Sequence, residues 1–308
     1  MKRGITPLIL VLLIQCALVA AVFWPGDGPD FAKPPPLLPF DLQQIDAVYV
    51  GDEFDNETVL TRVGERWSLP ELEHLPASSE MVNQMLAALA ADDGAWPLAD
   101  SVSARQRFRV ATYHYRRRIE LRGSGEKLAV VFLGTSPGFR KIYARNAKQD
   151  GIFSLHFSAQ AAPGRDGQWL DKNLLRVRTP LRINADAYSL ERRGEDWVSG
   201  IGLEPDPLEL AALLDTLRNL QIEGLASEDM QRDLSEAEAD LMLQITSLAG
   251  DITLELFEIE DEHYIHSSEY PLFFTISAYE YDRLVGIDYG LISGESDSGT
   301  TILIQGGT

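Results

Sequence analysis

Residues 134–138 read Gly-Thr-Ser-Pro-Gly, which matches the Gly-x-Ser-x-Gly spacing of a nucleophile elbow. Such an elbow presents its serine for attack on an acyl carbonyl, and it needs a strand before the serine and a helix after it. "KLAVVFLG" (127–134) supplies the strand, but "FRKIYARN" reads as a second strand rather than a helix. Pro137 also removes the N–H that would form half of an oxyanion hole next to Ser136. The stretch is therefore expected to be a hairpin loop, with a serine hydrolase using Ser136 as the alternative. Near the other end, "DEHYIH" (261–266) offers His263 and His266 beside Asp261 and Glu262. On a strand these histidines face opposite sides, whereas a zinc site needs three or four convergent ligands. They are expected as hairpin histidines. "HYRRRIELR" (114–122) carries Arg116, Arg117, Arg118 and Arg122. Alternation puts Ile119 and Leu121 on one face and positions 118, 120 and 122 on the other, giving a half-exposed basic strand. That strand is either a solvated face or a surface that docks an acidic partner. The acidic runs "EPDPLE" and "SEAEAD" lack the glycine and the spacing of a calcium loop and suit helix starts. There is no Gly-rich phosphate loop, Rossmann fingerprint or cysteine cluster. The residues thus suggest no cofactor, no metal and no catalytic group, and the chain reads as a binding protein rather than an enzyme.

A hexapeptide pattern, Arg-x-Gly-Glu-x-Trp, occurs twice, as "RVGERW" (62–67) and "RRGEDW" (192–197). Each copy lies between strand-like runs. Gly64 and Gly194 suit hairpin turns that need a positive φ. Trp67 and Trp197 open the returning strand and cap a core, and the flanking Arg and Glu can pair across it. An amphipathic helix follows each copy. The first is capped by Ser78 and carries Val82, Met85, Leu86 and Leu89. The second is capped by Asp206, with Pro207 at the first position, Glu209 closing a capping box, and Leu210, Leu213, Leu214 and Leu217 in the stripe. Further on, "KLAVVFLG" lines up with "DITLELFE" (251–258), "KIYARN" (141–146) with "HYIHSS" (263–268), and "DGIFSLHFS" (150–158) with "YPLFFTISA" (270–278). Each copy then comprises a hairpin, a helix, a four-stranded meander and a short helix. The fold class is α+β, with two tandem homologous antiparallel-sheet-plus-helix units at 45–178 and 179–292. Residues 293–308 read as a flexible tail in which 301–305 can add one edge strand.

Residues 5–24 contain no charge, and Lys2 and Arg3 precede them. Twenty residues are about one membrane span, and the charge asymmetry predicts a cytoplasmic N-terminus with the body outside. Residues 1–24 are expected to be a retained membrane anchor, with Cys16 buried in the bilayer. Val19-Ala20-Ala21 leaves open a cleaved signal and a soluble, secreted binding protein. Six prolines in residues 25–40 mark a stalk over 25–44. Net charge is −20, which argues against nucleic-acid binding. The charge is divided: residues 100–150 hold 12 Lys/Arg against 4 Asp/Glu, whereas residues 195–308 hold 3 against 25.

The anchor at 5–24, the "GERW" and "GEDW" turns, Pro76 before the first helix, "VVFLG" with Gly134, "IYAR" with Tyr143, and "QWLDKNLL" (168–175) together resemble the bacterial domain-of-unknown-function family numbered 4340. The resemblance covers most of 45–225. It implies a protein with one membrane helix and an extracytoplasmic body, held in the inner membrane with the body in the periplasm. It also implies an accessory role beside an ABC-type permease. The family has no established catalytic residues to carry over.

Overall fold

The structure, a computed structural model, describes residues 12–17, 19, 35–91 and 96–295. Most of the 5–24 segment, residues 25–34 of the stalk and the tail beyond 295, with its 301–305 strand, lie outside the described residues. Residues 12–17 are helical. Among the described residues no helix is long and apolar enough to cross a membrane. Residues 36–44 are not a free stalk. Leu37 and Leu38 are buried, the Asn146 amide donates to the Leu37 carbonyl at 2.8 Å, and Gln149 donates to that of Pro36 at 3.0 Å. Two leucines among prolines gain more by packing than by staying in water.

The body is mixed α+β, built on two eight-stranded antiparallel sheets. The first contains β1 (Ala47–Asp52), β2 (Glu57–Val63), β3 (Arg66–Leu69) and β4 (Leu75–Ala77). A small separate hairpin, β5 (Val110–Ala111) and β6 (His114–Tyr115), precedes the rest of that sheet: β7 (Arg117–Gly123), β8 (Glu126–Leu133), β9 (Ile142–Asn146) and β10 (Phe153–Leu155). The second sheet contains β11 (Pro180–Asn184), β12 (Ser189–Arg193), β13 (Asp196–Ser199), β14 (Gly224–Leu225), β15 (Leu241–Ser247), β16 (Gly250–Ile259), β17 (Glu262–Ser267) and β18 (Phe273–Ile276). The spatial orders are β10-β9-β8-β7-β1-β2-β3-β4 and β14-β18-β17-β16-β15-β11-β12-β13. Seven strands therefore follow one order in both sheets, and each sheet adds one edge strand, at opposite ends. The central strands β1 and β11 fall within the expected bounds 45–178 and 179–292 but are not among the expected elements, the first of which is the hairpin.

The two turns are as expected. Gly64 (φ 65°) and Gly194 (φ 70°) each start a two-residue loop whose second position has a negative φ, the pattern of a type II′ turn. The expected ion pairs across these turns do not form. Arg62 donates to the Gln43 carbonyl and lies over the Trp67 ring, and Arg192 donates to the Gly194 carbonyl. The helices begin at their expected caps. Ser78 accepts from the Met81 N–H in front of Ser79–Ala90, and Asp206 accepts from the Leu208 and Glu209 N–H groups in front of Pro207–Asn219. The capping box is not closed, because the Asp206 N–H donates to the Leu291 carbonyl. Val82, Met85, Leu86 and Leu89 are all buried, as are Leu213 and Leu217. The short helix expected at the end of each unit forms only in the second, as Ala278–Val285. The first has only 3-10 turns there, Ala159–Ala161 and Asp166–Trp169.

One contiguous core joins the inner faces of both sheets with these two helices. Each sheet also buries a small patch of its outer face under a second helix. Val102–Arg107 is the helix beside Ala104, Val110, Phe132 and Ile152, and Glu228–Glu236 is the one beside Leu234, Phe257, Tyr264 and Phe273. These patches correct the strand alignments proposed above. Phe132, Tyr143 and Ile152 occupy the outer face that Phe257, Tyr264 and Phe273 occupy in the second sheet. The sequence alignment had set them against Leu256, Ile265 and Leu272. All three strand pairs were slipped by one residue, which exchanges the two faces of a strand.

Residues 166–178 connect the sheets. The Ser78 and Asp171 N–H groups bond to the carbonyls of Trp169 and Pro76 on the first-sheet side. Those of Ile222 and Val177 bond to Lys172 and Leu217 on the second-sheet side.

Candidate functional site

A concavity opens at one end of the first sheet. It is a groove of about 730 Å³, formed by the start of β7, the connection between β8 and β9, and the segment that follows β10. Its cationic lining is Arg116, Arg117, Arg140 and Lys141; Ser136, Ser158, Gln160 and Gln168 add neutral polar groups, and Phe139 stands on the rim. Among the described residues no carboxylate lines it, although the chain carries 47 Asp and Glu.

Local sequence explains each wall. Gly134 ends β8 where the chain passes the Phe108 carbonyl so closely that a Cβ would sit 1.9 Å from that oxygen. The Gly134 N–H bonds to the Tyr143 carbonyl and the Tyr143 N–H to that of Thr135, so the ladder continues to residue 135 before the loop leaves it. In the loop the Ser136 hydroxyl donates to the Gly138 carbonyl at 2.6 Å, and Arg140 lies 5.1 Å above the Phe139 ring. On the opposite wall, Arg117 donates through Nε to the Ala162 carbonyl at 2.9 Å, and the Trp169 indole donates to the Pro163 carbonyl at 2.9 Å. Gly164 sits against the buried Asp52, where a Cβ would be 2.8 Å from the carboxylate. Burial raises the pKa of Asp52. The Asn56 side chain, the Phe54 and Asn56 N–H groups and the charge of Arg117 outweigh that, so the net shift is downward and the group stays ionised. The segment after β10 is thus fastened to the sheet at several points.

The four arginines singled out from the sequence divide into two pairs. Arg116 and Arg117 line the groove, and Arg116 has no ion-pair partner among the described residues. Arg118 and Arg122 face away and are committed elsewhere. Glu120 is only 2% exposed, and its carboxylate is bound by Arg118, by Arg122 at 2.7 Å and by Lys127 at 2.9 Å. The expectation of a solvated 118/120/122 face is corrected here: cations from β7 and β8 close over the carboxylate. Burial raises the pKa of Glu120, and the Lys127 and Arg122 hydrogen bonds with the Arg118 charge more than reverse this, for a net lowering. Its stabilising contribution is then complete above the unfolded-state value near about 4.3 and is lost as pH falls through the lower folded value. Glu120→Gln should cost about 1–3 kcal/mol at neutral pH, because the three cations are partly hydrated and can turn to water. It should also flatten the acid limb of stability below about pH 4. Urea melts across that range test this, and an unchanged acid limb would count against it.

The remaining candidates do not converge. No helix follows Ser136, and its hydroxyl is used within its own turn. His263 and His266 lie on β17 and face opposite ways; His263 lies against the Tyr281 ring, tilted by 48°, and His266 bonds to Glu255 at 2.8 Å. Among the described residues there is no group of three or more His, Cys, Asp or Glu placed to hold a metal ion. A smaller cleft of about 370 Å³ between the second-sheet helices mixes Lys172 and Arg283 with Asp215, Glu223 and Glu280, so its charge is nearly balanced. Sequence reasoning missed Arg140, Lys141 and the 157–168 wall. The available signal was the second basic pair, 140–141, at the far end of a turn-rich loop.

No curated protein and no solved structure matches the chain. A family model described as a domain of unknown function matches residues 67–241, more than half of the chain. That span includes the first Trp hairpin strand, both long helices, the groove and the connection between the sheets. The chain belongs to the DUF4340 family of domains of unknown function.

Proposed function

We propose that the protein is a non-catalytic binding protein of the bacterial envelope, working through the groove of the first sheet. In this reading residues 5–24 anchor it in the inner membrane, residues 25–35 space it from the bilayer, and the body lies in the periplasm as a duplicated unit. Its partner is a membrane complex of the ABC-permease type. The observation that carries the reading is the groove itself: four cations and no carboxylate in a chain of net charge −20. Such local reversal of sign attracts and orients anionic groups. The shared strand order of the two sheets supports the duplication.

Crosslinking in intact cells, followed by purification of the full chain from membranes, tests it. The expected result is reproducible recovery of an ABC-type permease or its ATPase, lost when Arg116 and Arg117 are both changed to Glu. Recovery of the protein alone, or equal capture by the double variant, overturns the reading.

A further inference from the structure

We propose that the groove is an oxyanion site for a soluble ligand bearing two or more phosphate-type groups. This deepens the binding reading above and rests on it. The first support is a comparison within the molecule. The second sheet joins β16 to β17 with only Glu260 and Asp261, both at positive φ, which is the tight type I′ connection. The first sheet joins the equivalent strands β8 and β9 with residues 134–141. Connecting the strands does not require those extra residues, and they carry Ser136, Phe139, Arg140 and Lys141 into the groove. At the equivalent place the second sheet is acidic, with Glu258, Glu260, Asp261 and Glu262.

Side-chain chemistry narrows the occupant. Three of the four cations are arginines, whose planar fork takes an oxyanion bidentately, and Gln160 and Gln168 add neutral donors. The volume lies within the range of small-ligand sites. An acidic peptide fits less well, because peptides commonly add to a free strand edge. Just before the neighbouring edge strand β10, the Ile152 carbonyl and N–H are already bonded, to the Leu98 N–H and the Ala99 carbonyl.

Placement narrows the source. The chain enters the body beside Asn146, at the far end of β9 from Ile142, which lines the groove. A strand of this length separates them by roughly 13 Å. On the anchored reading proposed above, the groove then opens at the end of the sheet opposite the N-terminal entry. This favours a soluble ligand over a lipid headgroup.

Calorimetric titration of the full chain in neutral detergent tests this with three probes: tripolyphosphate, an oligoglutamate peptide, and mixed micelles containing phosphatidylglycerol. Tripolyphosphate is expected to bind at one site, more tightly than either alternative. Arg116→Glu and Arg140→Glu should each weaken it by about tenfold or more. Arg192→Glu, on the exposed second hairpin, should not change it. Thermal melts of the same samples confirm that all three variants remain folded. Three results overturn the proposal: no tripolyphosphate binding, equal binding by the variants, or preference for the peptide or the micelles. Permease capture that survives without tripolyphosphate binding removes this inference and leaves the binding reading standing.

Discussion

Trp67→Ala is expected to lower stability by about 3–5 kcal/mol, while Trp197→Ala costs about 1–2 kcal/mol. The two tryptophans occupy the same place in the repeated hexapeptide and would be equivalent on sequence grounds. They differ in what surrounds them. Trp67 is 1% exposed and belongs to the shared core, its indole N–H reaches Asn83 on the Ser79–Ala90 helix at 3.3 Å, and its backbone N–H reaches the Ser79 hydroxyl. Removing the ring leaves a cavity between sheet and helix and takes away the donor to the Asn83 side-chain carbonyl oxygen. Trp197 is half-buried and only flanks the core, so water can fill its place. Urea unfolding followed by circular dichroism measures both, with an unchanged m-value as the sign that stability alone has moved. Equal losses at the two sites would show that the first hairpin does not anchor the helix as argued.

Gly134→Ala should be at least as damaging, at about 3 kcal/mol or more, whereas Ser136→Ala should stay within about 0.5 kcal/mol of the wild type. The new methyl at 134 would meet the Phe108 carbonyl at 1.9 Å, the Arg109 carbonyl at 2.7 Å and Val110 Cγ1 at 2.8 Å. Two of these are backbone atoms and cannot rotate away. Ser136 is exposed and bonds only within its own turn. The pair therefore separates two meanings of Gly-x-Ser-x-Gly. In a nucleophile elbow the serine matters for function, and here the first glycine matters for packing. Thermal melts decide the first effect, and complementation of a deletion strain decides the second. A Ser136→Ala variant that folds normally and fails to complement would restore the hydrolase reading.

Features decided by a few neighbouring residues were legible in the sequence. Gly64 and Gly194 announced their turns, Ser78 and Asp206 their helix starts, and the leucine stripes their buried faces, because each depends on local dihedral preference or on period. Features decided by which strands lie side by side were not legible. β1 reads "AVYVGD" and β11 reads "PLRIN"; neither alternates cleanly, yet each is central because strands from both sides pair with it. Strands β8, β16, β17 and β18 bury adjacent residues, so they are apolar on both faces; pattern alone could not fix which face turns inward, and the alignment slipped by one residue. Glu120 looked solvated until Lys127 arrived from the next strand. The groove combines Arg116 with Arg140 and Gln168, and only the fold brings them together.

The central position of β1 has a practical consequence. The family match begins at Trp67 and ends at Leu241, a window that excludes β1 and β2 at one end and, at the other, β16 to β18 with all of β15 but its first residue. A fragment cut to those limits would split the first sheet, leaving β3 and β7 with no strands between them. It would also strip the second sheet of four interior strands. Such a fragment is expected to be insoluble or unfolded, and that failure would say nothing about the family. The smallest piece suited to expression runs from the docked leucines at 37–38 to the helix ending at Ser293. The boundaries of a recognisable sequence pattern and those of a foldable unit are different here.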